Sequence, residues 1–195
     1  MILKGKVSKE HLKLISDSYN DLGKDPYTNI QRYRALSRFN IEVGKIKKLP
    51  NLALKQPRSS NSLFGEVARQ FGDIERQIIS SESFQNIFRN MIKNFQLDNI
   101  NDYQIWVHQI RTRIGEPIHA KTITPEGIHR DDAEKVGIVC VNRNDLQGAA
   151  NRFYWNRSKE SLFHKCNLDS GDLVIFDDNK MWHDVSQAVP TSSDS

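Results

Sequence analysis

A chain of 195 residues, 37% of them hydrophobic, 27% charged and 9% aromatic, is long enough for one domain with a sizeable core. It carries no apolar run near the ~20 residues of a membrane helix, no apolar leader in Met1–Glu10, and two cysteines only, Cys140 and Cys166. These features argue against a helical membrane protein, a disulfide scaffold and a disordered chain, and they predict a reducing cytoplasmic compartment. The net charge of +4 is uneven, with +6 in residues 1–50 and −3 in residues 101–195. Zinc-finger spacing, an RNP-type aromatic run and a homeodomain-like helix are all missing, so the basic arm argues only weakly for phosphates and a nucleic-acid partner is not expected.

In chain order, the first half reads mainly as helix and the second half as strands. Ser8 is a plausible N-cap, Leu12, Ile15, Tyr19 and Leu22 follow at helical spacing, and Gly23 is a stop. Asp25-Pro26-Tyr27 reads as a turn, and Gln31–Phe39 alternates polar and apolar residues as an edge strand does. Residues 44–66, rich in Lys, Pro, Ser and Asn, read as loop. Phe84, Ile87, Phe88, Met91, Ile92 and Phe95 form a helical stripe capped by Ser81 or Ser83, and the stripe reads as core.

From Tyr103 the period becomes two. Tyr103, Ile105, Val107, Gln109, Arg111 and Arg113 share one face, with Trp106, His108 and Ile110 on the other. Short strands are predicted at Val136–Val141, Arg152–Trp155, Ser161–Phe163, Asp172–Phe176 and Trp182–Val185, and Thr191–Ser195 reads as an unstructured tail. The expectation is a single α+β domain over 1–195. Its basic part, 1–100, is mainly helical, and a jelly-roll barrel over 101–190 carries the N-terminal helices on the outside of its sheet.

Two of the six histidines stand out. In an extended Ile128-His129-Arg130-Asp131-Asp132, the side chains of His129 and Asp131 project together, while Arg130 and Asp132 point elsewhere. An imidazole and a carboxylate on one side offer two metal ligands. A third is available in His183, which follows the apolar strand Asp172–Phe176. Two His and one carboxylate are the facial set of non-haem Fe(II) oxygenases. His11, His108, His119 and His164 read as ordinary polar residues, with His108 the one able to approach the same cavity from the preceding strand.

The region from Trp106 to Pro190 resembles the small 2-oxoglutarate/Fe(II) dioxygenases that hydroxylate free amino acids, the L-isoleucine 4-hydroxylase-like family. The resemblance rests on Val107-His108-Gln109-Ile110-Arg111, Pro125–Asp132, Asp172–Asp178 and Trp182-His183-Asp184-Val185. Asp25-Pro26-Tyr27, Arg32-Tyr33-Arg34 and Val67–Phe71 extend it upstream. It implies a double-stranded β-helix of cupin-like form, Fe(II) held by His129, Asp131 and His183, and 2-oxoglutarate and O₂ as cosubstrates. The implied reaction couples decarboxylation of 2-oxoglutarate, to succinate and CO₂, to hydroxylation of a C–H bond.

The far carboxylate of 2-oxoglutarate calls for an Arg fork. In relatives that Arg lies on a strand a dozen or more residues beyond the second metal His, whereas no Arg follows Arg157 here. A missing C-terminal strand is therefore expected, with Arg111 and Arg113 as stand-ins or simply as solvated strand cations. Arg69, Asp132 and Glu134 are candidates to hold an amino-acid substrate by residue type and neighbourhood. The expected partner is a small molecule, and a homo-oligomer is compatible with the sequence. Two other readings stay open: a degenerate jelly-roll module that binds metal without turnover because it lacks the cosubstrate Arg, and a zinc site.

Overall fold

A computed structural model of the chain describes residues 1–115 and 122–191; His119 and all but the first residue of the Thr191–Ser195 tail lie outside the described residues. The fold is mostly β-sheet, with eleven strands and three helices among those residues. The strands are β1 (Ile2–Lys6), β2 (Arg32–Glu42), β3 (Lys45–Leu49), β4 (Ile105–Thr112), β5 (Lys135–Val139), β6 (Leu146–Gly148), β7 (Asn151–Tyr154), β8 (Leu162–Cys166), β9 (Asp172–Asp177), β10 (Trp182–Val185) and β11 (Ala188–Pro190). The helices are α1 (Lys9–Ser16), α2 (Arg76–Ser80) and α3 (Glu82–Phe95). No described helix is long and apolar enough to cross a membrane.

The first hundred residues are not mainly helical. Helix is confined to α1, α2, α3 and short 3-10 turns, and the longest strand of the molecule, β2, lies in this half. Nor is β2 an edge strand, because it sits between β3 and β4 in a three-stranded antiparallel sheet. Its polar positions misled the reading because they are buried. Arg32, Arg34 and Arg38 lie inside on one face, while Ala35, Phe39 and Ile41 pack on the other. Strand β3 lies in what reads as loop; its hairpin turns on Val43-Gly44, both at positive φ (50° and 73°), the backbone a type I′ turn requires. Asn-Gly signals such a turn in sequence, and Val-Gly does not.

The Ser81 cap and the apolar stripe behave as their chemistry demands. Ser81 Oγ accepts the Phe84 N–H at 3.2 Å, and Phe84 and Phe88 bury their rings against Phe39 of β2. Opposite, two further sheets face each other. The order β1-β9-β5 packs on β10-β7-β8 through Phe153, Val174, Phe176 and Met181, with Phe153 and Phe176 meeting edge to face at 5.0 Å. The rim of this core holds His183, whose ring lies 4.9 Å from that of Phe176.

Candidate metal centre

His183 sits on β10, fixed by the pairing of that strand with β7, where His183 opposes Phe153 and Asp184 opposes Arg152. Arg152 clamps Asp184 with two bonds of 2.7 and 2.6 Å, and the Tyr154 hydroxyl donates to the same carboxylate at 3.1 Å. On its other edge β10 meets His129 through its backbone and Thr124, whose hydroxyl accepts the Val185 N–H at 3.1 Å. The two histidines exchange both backbone hydrogen bonds (3.0 and 2.9 Å), an antiparallel pair that sets their rings 4.4 Å apart. Gly127, at φ +68°, turns the chain so that its carbonyl meets His129 Nδ1 at 2.8 Å. That contact puts the proton on Nδ1 and leaves Nε2 as a free lone pair.

Asp131 completes the group. Its Oδ2 lies 3.3 Å from His183 Nε2, and its Oδ1 lies 3.9 Å from His129 Nε2. One donor atom from each of the three residues falls within 4.8 Å of the others. Two donors about 2.1 Å from one metal, at a right angle, are themselves about 3 Å apart. The spacing therefore suits a metal ion. His183 Nε2 is also a buried polar atom without a hydrogen-bond partner, despite the nearby carboxylate. Such an atom costs free energy unless something coordinates it.

The electrostatics point the same way. Burial and the adjacent His183 hold the His129 imidazole below its ordinary pKa, so it is neutral and ligand-ready. Burial alone would depress His183 as well, but Asp131, then Asp178 and Asp184, raise it. The Asp131 side chain stays 42% exposed; partial loss of hydration opposes its ionisation, yet His183 and His129 hold it well below the usual carboxylate range. In the absence of metal, a proton on His183 thus neutralises the Asp131 charge.

Two residues not singled out from the sequence hold this arrangement. Asp178, buried, accepts the backbone N–H groups of Asp131 (3.0 Å) and Ala133 (3.2 Å), and burial with the Asp131 charge pushes its carboxyl up to about 6. Gln56 donates to the Asp131 carbonyl at 3.0 Å from the loop 56–66. That loop is tight at Gly65, where a Cβ would lie 2.4 Å from the Arg58 Cα and 2.5 Å from the Asn61 carbonyl oxygen. Asp178 lies in a motif that carries the resemblance, but its role depends on a partner 47 residues away.

The remaining sequence candidates divide. Arg69 is buried and donates to Gln56 Oε1, one residue removed from Asp131. Asp132 turns away through a left-handed φ of 63° and accepts from Ser60 Oγ. Glu134 lies beside Tyr103, whose hydroxyl it holds above its ordinary pKa. Arg111 is not brought to the metal ligands. It donates to Asn20 Oδ1 at 2.7 Å and stacks on Tyr33, on the face of β4 that Ile105 and Val107 turn toward the helices. Arg113, just beyond β4, is exposed, with its backbone N–H on the Gln31 carbonyl. His108 points the other way and contacts Arg34 through Nδ1.

Solved structures share this fold. IDO from Bacillus thuringiensis matches with a TM-score of 0.71 and 18% identity over 98% of this chain and 86% of that one. A BsmA homologue from Methylobium petroleophilum PM1 matches with 0.74 and 20% over 93% and 74%. TqaL, an Fe(II)/α-ketoglutarate-dependent dioxygenase, matches with 0.66 and 15% over 98% and 76%. No curated protein is significantly similar in sequence. The model of the 2OG-Fe dioxygenase family, whose members use Fe(II), 2-oxoglutarate and O₂, matches residues 16–195, so this chain belongs to that family and is a dioxygenase.

Proposed function

We propose that this dioxygenase hydroxylates a free amino acid or a similar small zwitterion, on a double-stranded β-helix, in the cytoplasm. His129, Asp131 and His183 would hold Fe(II). The observation that carries the reading is the convergence of these three donors around a buried His183 Nε2 that lacks a well-aligned hydrogen bond among the described residues. With Fe(II) bound, 2-oxoglutarate and O₂ supply the oxidation that side chains alone do not.

The chain's own residues do the positioning. The Gly127 carbonyl fixes the His129 tautomer, Asp178 and Gln56 hold the Asp131 backbone from two sides, and the Arg152–Asp184 clamp locks β10. The buried Phe176 ring covers one side of His183, backed in turn by Phe153, and the lower local polarity strengthens charge interactions there. An amino acid also needs a cation for its carboxylate, and Arg69 is the sequence candidate best placed to serve. A non-catalytic module is disfavoured, since the ligand set is complete and the family match spans most of the chain.

The test is succinate formation from 2-oxoglutarate with Fe(II), screened against the common amino acids, with mass analysis of the amino acid. The expected result is one amino acid that stimulates succinate release and gains one oxygen atom. Fe(II)-dependent succinate release that no amino acid stimulates or couples to would overturn the substrate class.

A further inference from the structure

Arg34 is a buried charge that the site described above does not use. It projects from the inner face of β2, in register with Arg32 and Arg38 and beside His108 of β4, into the same interior as Arg69. Arg32 is neutralised there, by Asp25 at 2.8 Å and Glu126 at 3.2 Å. Arg34 and Arg69 are not. Among the described residues, no carboxylate lies within 4.0 Å of either guanidinium. Arg34 meets the ring of His108, and Arg69 meets the amide oxygen of Gln56. The Nε of each is buried without a hydrogen-bond partner. Both sit over aromatic rings, with Arg34 Cζ 4.5 Å from the centre of the Phe71 ring and Arg69 Cζ 4.7 Å from that of Phe64. A guanidinium held over a ring by its cation–π contact, with Nε unpartnered, keeps a donor for a carboxylate.

The location of these cations is set by Gln56, which joins Arg69 to the Asp131 carbonyl. We propose that Arg34 and Arg69 form the seat for a carboxylate of a small molecule bound beside the His129–Asp131–His183 cluster. The proposal rests on the active-site reading above and adds Arg34 to it. Among the described residues neither cation has a carboxylate in contact, and Asp131 and Asp25 act on both from farther off. Two such buried cations are better compensated when an anion joins them, and the bound carboxylate supplies that anion. Burial and the neighbouring Arg32 and Arg69 lower Arg34 to about 10, so it still carries its charge at neutral pH. Burial, Arg34 and the other nearby arginines keep His108 well below its ordinary value, a neutral acceptor for Arg34. The carboxylate could belong to 2-oxoglutarate, at its far end, or to the substrate.

Calorimetric titration of the Mn(II)-loaded chain, without O₂, separates the two. The probes are 2-oxoglutarate, then 2-oxobutyrate, which lacks the far carboxylate, then the common amino acids in the presence of 2-oxoglutarate. Arg34→Gln and Arg69→Gln are each expected to weaken one carboxylate ligand by about ten- to a hundred-fold. Mn(II) affinity should stay unchanged, and the ligand-free chain should melt no lower. Loss on 2-oxoglutarate but not 2-oxobutyrate assigns the seat to the cosubstrate; loss on an amino acid alone assigns it to the substrate. Weakened 2-oxoglutarate binding in a chain that binds no amino acid would sustain the seat while defeating the free-amino-acid reading. Arg34→Lys, which keeps the charge without the fork, should fall between wild type and Arg34→Gln. The proposal is overturned if no carboxylate probe weakens in either Gln variant, or if the Gln variants lose Mn(II) and melting temperature as they lose the ligand.

Discussion

Asp131 and Asp132 are adjacent carboxylates in opposite surroundings. Asp131 faces two imidazoles, while Asp132, at positive φ, reaches Ser60. Replacing Asp131 by Asn is therefore expected to cost at least ten- to a hundred-fold in Mn(II) affinity, by analogy with the 10–100-fold cost of losing even an outer-shell partner. Asp132→Asn should bind Mn(II) within about two-fold of wild type, since an exposed residue bonded to one hydroxyl contributes little. Titration of both variants with Mn(II) checks the pair; equal losses would mean that the carboxylates share the ligand role. This part of the site was legible because period-two geometry and residue type suffice to pick His129 and Asp131. Arg34 was not, since an arginine alternating with apolar residues in a strand reads as solvent-facing until three such arginines turn out to be buried.

At the scale of elements, the placement of His183 depends on how β10 grips β7. The bidentate Arg152–Asp184 pair spans those strands directly opposite each other, with Asp184 buried and Arg152 partly exposed. Among the described residues, Arg152→Met leaves the Asp184 carboxylate with the Tyr154 hydroxyl alone. The expected cost is about 1.5–3 kcal/mol, the range for hydrogen bonds to charged groups. Urea unfolding should read it as a lower midpoint at unchanged slope, and an unchanged midpoint would show the pair to be ornamental to stability. Helix α3 needed no tertiary information, because its cap and apolar spacing are local. The pairing of β1 with β9 and the β6–β11 pair lay beyond reading, since their partners are distant and the strands are short or charged.

For the whole molecule, a metal at this centre ties residue 129 to residue 183 and binds only the folded chain. At a metal concentration 100 times Kd the added stability is about 2.7 kcal/mol, so a chelator should lower the melting temperature of the metal-loaded protein. The pH dependence should invert between the two forms. Without metal, the raised His183 contributes stability that is complete below the unfolded imidazole value and is lost as pH rises through its folded value; the depressed Asp131 contributes stability lost as pH falls through the carboxylate range. With metal, His183 must be deprotonated, so affinity rises with pH through that same raised value. Melting curves across pH with Mn(II) or chelator test this, and parallel profiles would remove His183 from the ligand set. The first strand has a separate consequence. Strand β1 pairs with β9, about 170 residues later. At roughly 5–20 residues per second of synthesis, the two strands are made on the order of 10–30 s apart. Through that interval the N-terminal segment waits on the ribosome without its neighbour, and β9, once made, has an open edge until β1 docks. A chain lacking residues 1–6 should keep that edge open permanently and scatter light on standing at concentrations where the full chain stays clear.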